Sequence, residues 1–220
     1  MFRERNARIW FGLTSALVAV GLVVQFFLAI GKDAHPFEEV PARIVNFFSF
    51  FTVQSNIAVA VTTGLLALNV HRPSRLFRVF RIVAVVCIAV TGIVFHLALA
   101  DLQELTGWDL VCDTILHTLS PIMATAGWLL FGPRGRLSTD VVLLAVVPPV
   151  CWLSYALIYG ELATTRTGEH YYAYPFMNVE IHGYVVAVSR CVLVAALFLA
   201  LAFGAKALDR RLPGGRAASG

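Results

Sequence analysis

The polar side chains that stand out against the apolar runs of this chain are Thr52, Gln54, Asn56, His96, Asp113, His117 and Arg190. Asp113 and His117 are four residues apart, so on a helix they share one face and can touch. A carboxylate beside an imidazole raises its basicity and fixes its tautomer, the role of the orienting acid in a catalytic triad. Thr52 is a weak nucleophile alone, and a neighbouring imidazole can activate it. Gln54, Asn56 or Arg190 can supply the donors that an oxyanion requires. Thr-His-Asp is therefore an acyl-transfer constellation, and it calls for neither metal nor cofactor.

Other readings of the same residues stand beside it. Imidazole and carboxylate are zinc ligands, and His96, Asp113, His117 and His182 are the candidates, although no tight motif such as HxxxH is present. Thr, Gln and Asn in apolar helices also bond neighbouring helices or their own i−4 carbonyl, a purely structural use. Arg190 is expected to pair with Asp113 or to cap carbonyls, and His96 can be a satisfied core histidine.

The elements that must position these groups are membrane helices. Hydrophobic residues make up 59% of the chain and charged residues 14%, and the mean hydropathy is +0.78. A soluble domain is nearer half apolar and about a quarter charged, so lipid must solvate much of this surface. Six runs are long enough to span: approximately Ile9–Ile30, Ile44–Val70, Ile82–Ala100, Leu110–Phe131, Val141–Tyr159 and Ile181–Ala205. The fold class expected is an all-α bundle of six transmembrane helices forming a single integral membrane domain over residues 1–220. Pro148-Pro149 is expected to kink the fifth run. The four cysteines are scattered through apolar runs and read as small buried hydrophobes.

Basic residues give a direction. Arg3, Arg5 and Arg8, then Arg72, Arg75, Arg78 and Arg81, then Arg134 and Arg136, then Lys206, Arg210, Arg211 and Arg216 all fall on one side of the six-span path. The opposite breaks hold Lys32, Arg43 and Arg166 amid most of the acidic residues. The positive-inside rule then makes both termini cytoplasmic, in the plasma membrane. The net charge of +4 belongs to that face, so nucleic acid is not an expected partner. Measured from the outer face at about 1.5 Å per residue, Thr52 lies about 12 Å deep, His117 about 10 Å, Arg190 about 13 Å and His96 about 6 Å. All share the outer half, and the site is expected to open toward the outer face. Tyr171, Tyr172, Tyr174, Trp108 and Trp152 suit an aromatic belt or a packed loop.

"FFT" early in the second run, "DTILHT" with Pro121 just after it, and "YPF" at residues 174–176 together carry a resemblance. The chain resembles the androgen-induced family of multi-span intramembrane threonine hydrolases, which cleave fatty acid esters of hydroxy fatty acids. By that resemblance the catalytic threonine falls on Thr52 and the catalytic histidine on His117. Asp113 stands where an asparagine is expected in the animal members, and the stretch "VQSN" is more polar than theirs.

The leading expectation is an intramembrane hydrolase of a fatty acyl ester drawn from bilayer lipid, with Thr52 as nucleophile and His117 as base. Asp113, Gln54, Asn56, Arg190 and His96 are its supporting groups. The alternatives are a non-enzymatic protein that binds or moves a small solute or lipid through the same polar pocket, and a His/Asp zinc hydrolase.

Overall fold

A computed structural model describes residues 2–102, 104–132 and 137–212, so Arg134, Arg136 and Arg216 lie outside the described residues. The chain is built from helices: α1 (Phe2–Gly31), α2 (Val40–Ser49), α3 (Phe51–Leu68), α4 (Arg75–Ala98), α5 (Gly107–Thr114), α6 (Ser120–Phe131), α7 (Thr139–Leu162) and α8 (Val179–Arg211). A π-helical turn over Ile115–Leu119 joins α5 to α6. Among the described residues there is no strand, only an isolated bridge between Thr164 and His170.

Six helical segments are long and apolar enough to cross a membrane: Arg3–Gly31, Phe51–Leu68, Arg75–Ala98, Gly107–Phe131, Thr139–Leu162 and Val179–Arg211. Apolar side chains cover their outward faces, with Leu13, Val20, Phe27, Val185 and Leu193 all exposed. Exposed apolar surface in such quantity is what a lipid solvent tolerates and water does not. α4 lies innermost. Its buried residues Val83, Val86 and Val90 pack with Val141 and Ala145 of α7 and Phe198 and Ala202 of α8. Its Ala84 and Ile88 pack on another side with Val18 of α1, Val59 of α3 and Leu116.

Two of the six expected runs differ from the structure in ways that matter. The run expected as one span over 44–70 is two helices, broken at Phe50, whose φ of −69° and ψ of 132° are extended. A break in an apolar setting must satisfy the backbone groups it frees. Here side chains do so: Trp152 Nε1 donates to the Ser49 carbonyl at 3.0 Å, and Gln54 Nε2 donates to the Phe48 carbonyl at 3.0 Å. The fourth run widens into the π turn immediately before Pro121, which has no N–H to offer the His117 carbonyl. By contrast, α7 continues as one helix through Pro148 and Pro149. Within α8, Gly183 takes a φ of 73°, a left-handed conformation that sets the first turn apart from the rest of the helix.

The bundle has two distinct ends. At one, Arg3 donates to Leu130 O, Arg8 to Ala67 O and Lys206 to Thr139 Oγ1, and Arg75 pairs with Asp140. At the other, the connections after α1 and α7 meet: the Arg166 amide donates to Pro36 O at 2.9 Å, and the Phe37 and Tyr171 rings pack edge to face.

Candidate active site

Thr52 is the second residue of α3, just past the break, and it is buried. Its Oγ1 lies 3.2 Å from Nε2 of His117. On the other side of the ring, His117 Nδ1 approaches Asp113 Oδ1 at 2.9 Å. That contact is close but bent, since the Nδ1–H direction misses the carboxylate oxygen and forms no aligned hydrogen bond. The pairing is therefore electrostatic first. Catalytic hydrogen bonds commonly stand loose before substrate binds and tighten with it. The Phe95 ring stacks on the imidazole with centroids 4.1 Å apart and planes 14° from parallel, which fixes the ring plane.

Both members of the central pair sit at irregularities in their helices, and each irregularity has a local cause. Thr52 owes its place to the Phe50 break, which puts it in the first turn of α3 with backbone N–H groups that have no partner within the helix. One of these is taken up by a loop residue: the Thr52 amide donates to the hydroxyl of Tyr174 at 3.4 Å. His117 is in the middle of the π turn, the kind of widening that recurs at functional sites. Asn56 joins the two irregularities. Fully buried, it donates through Nδ2 to the Thr52 carbonyl at 2.8 Å and to the Leu116 carbonyl at 3.1 Å. Ser55 adds a bond to the Thr52 carbonyl and another to Thr91 of α4.

The site opens on a cavity of about 210 Å³ whose walls are almost wholly apolar. Thr52, Thr91, His117 and Tyr174 are its polar contributors, among Phe51, Phe95, Pro149, Trp152, Met177 and Phe198. A chamber of this kind accepts a hydrocarbon chain and offers few other polar contacts.

The sequence-derived candidates divide accordingly. Thr52, His117 and Asp113 come together in one row, and Asn56 ties the Thr52 carbonyl to that of Leu116, next to His117. Gln54 does not face the site; it is committed to the Phe48 carbonyl at the break. Asp113 pairs with His117, not with Arg190, and Arg190 is half-buried on α8 outside the cavity lining. His96 turns to Thr118, 3.1 Å away, on an exposed part of the surface. Among the described residues no three His, Cys, Asp or Glu side chains gather as a metal site requires, and neither His96 nor His182 joins the Asp113–His117 pair.

Three contributors were not assigned to the site from sequence. Phe95 has no local signature. Trp152 and Tyr174 suit an aromatic belt or packed loop by sequence, yet Trp152 packs on Phe51 with centroids 4.7 Å apart. Tyr174 is carried inward by the loop after α7 and packs on both Phe50 and Trp152.

No protein-family model, no curated protein and no solved structure matches the chain.

Proposed function

We propose that this chain is an integral membrane hydrolase that cleaves a fatty acyl ester with Thr52 as nucleophile and His117 as general base. The observation that carries the reading is the 3.2 Å approach of Thr52 Oγ1 to His117 Nε2, with Asp113 on the opposite ring nitrogen. The apolar cavity beside the pair supports an acyl chain as the group that occupies it. The resemblance carried by "FFT", "DTILHT" and "YPF" points the same way.

In this mechanism His117 is neutral, with its proton on Nδ1 toward Asp113 and a lone pair on Nε2 toward Thr52. Thr52 Oγ1 attacks the ester carbonyl carbon as its proton passes to Nε2, and the carbonyl π pair becomes an oxyanion. Collapse expels the alcohol oxygen, which takes the proton back from Nε2 and leaves an acyl-threonine ester. Water then repeats the sequence against that ester and releases the fatty acid. Asp113 stabilises the imidazolium formed in each half.

Orientation belongs to the same proposal. Arginines gather at the end of the bundle formed by the start of α1, the start of α4 and the end of α8. The positive-inside rule assigns that end to the cytoplasm of a plasma-membrane protein. Thr52 and Tyr174 belong to the opposite half, so the site is in the outer leaflet and faces outward.

Purified protein treated with an alkyl fluorophosphonate tests the chemistry. Labelling is expected on Thr52, located by peptide mass, and is expected to be lost in Thr52→Ala and reduced at least ~100-fold in His117→Ala, the scale of a general base. Labelling that persists unchanged in both variants would sink the reading.

A further inference from the structure

We propose that Tyr174 is a further catalytic residue of this site: its phenol O–H is the donor that stabilises the oxyanion, with the first-turn amide of α3 acting behind it. The inference rests on the Thr52–His117 hydrolase reading and adds the group which that reading lacks.

An acyl transfer of this kind needs a donor where the carbonyl oxygen becomes negative. The donors suggested by sequence are occupied or elsewhere. Gln54 holds the Phe48 carbonyl, both bonds from Asn56 Nδ2 go to backbone carbonyls, and Arg190 is not part of the cavity lining. Tyr174 remains. Its side chain is more than nine-tenths buried, it lines the same cavity as Thr52 and His117, and its oxygen accepts the Thr52 amide at 3.4 Å. With that oxygen accepting from the amide, the phenol's own proton is left to donate into the cavity that Thr52 and His117 also line. A carbonyl carbon bonded to Thr52 Oγ1 brings its oxygen into this small space.

The arrangement forms a relay. The Thr52 amide, at the positive end of an 18-residue helix, polarises the phenol, and the phenol donates to the oxyanion. The donor is used without being consumed: the O–H proton stays on Tyr174, and the proton that moves is the one exchanged between Thr52 and His117. Burial pushes the Tyr174 phenol above the usual tyrosine range, so it remains protonated, and hence a donor, throughout neutral pH. The loop position is held by packing of the ring against Phe50, Trp152 and Phe176, independently of the hydroxyl.

Tyr174→Phe keeps that packing and removes only the donor. Expected is a fall of about 100-fold in kcat for a fatty acyl ester, with KM little changed, and a similar fall in the rate at which an alkyl fluorophosphonate labels Thr52. Fluorotyrosine at position 174 preserves the shape and makes the phenol more acidic. It is expected to pull the alkaline limb of the pH–rate profile to lower pH, a change that a packing residue would not produce. A Tyr174→Phe rate within a few-fold of wild type, or an alkaline limb unmoved by fluorotyrosine, overturns the role of Tyr174 while leaving Thr52 as nucleophile. Absence of Thr52 labelling in the wild-type protein overturns the hydrolase reading itself, and this proposal with it.

Discussion

At the residue scale, the bent contact between Asp113 and His117 sets what each substitution should do. The carboxylate is 2.9 Å from Nδ1, on the side of the ring opposite Thr52. Asp113→Ala removes both the charge and the acceptor, and kcat for ester cleavage is expected to fall about 100-fold. Asp113→Asn keeps an oxygen that Nδ1–H can find and loses only the charge, so its rate should lie between the two. Steady-state kinetics on a fatty acyl ester checks the order, and wild-type rates in both variants would remove Asp113 from the mechanism. This pair was legible in the sequence because four-residue spacing is a local property of any helix, and the onset of the π turn at Ile115 did not separate them. The stacking of Phe95 was not legible, because it depends on how α4 meets the π turn, which no spacing within either segment records.

At the element scale, the site is assembled where helices depart from regularity. The π turn fits against α4 because residue 92 has no side chain. A Cβ there would lie 2.9 Å from the Cβ and Cγ atoms of Pro121 and 3.3 Å from the His117 carbonyl. Gly92→Ala should therefore push the turn away from α4, cost about 1–3 kcal/mol of stability as overpacking does, and lengthen the reach from His117 to Thr52. Melting in detergent and fluorophosphonate labelling measured together check this; a variant that melts and labels like wild type would show that the turn has room to spare. The six apolar runs were readable from composition, since lipid imposes length and hydropathy on each span by itself. The break at Phe50 was not, because its carbonyls are satisfied partly by Trp152, about a hundred positions along the chain. Within the broken segment, Gln54 looked like a site donor for the same reason: its work on the Phe48 carbonyl has meaning only once the helix is known to stop.

At the scale of the whole molecule, the contrast between the two ends makes orientation measurable. Arg166 belongs to the connection that meets Pro36, and Arg210 to the last turn of α8. Of the four cysteines only Cys151 is exposed, so Cys151→Ser leaves a quiet background. In that background Arg166→Cys should react with a membrane-impermeant maleimide on intact cells, and Arg210→Cys only after the cells are opened. The reverse pattern would turn the proposed orientation over. The Phe50 break also bears on the order in which the molecule is made. Its freed groups are met by Trp152 from α7 and by Tyr174 from the loop beyond it, segments that leave the ribosome long after α3. The amide of Thr52 thus takes its partner from a residue that is synthesised 122 positions later.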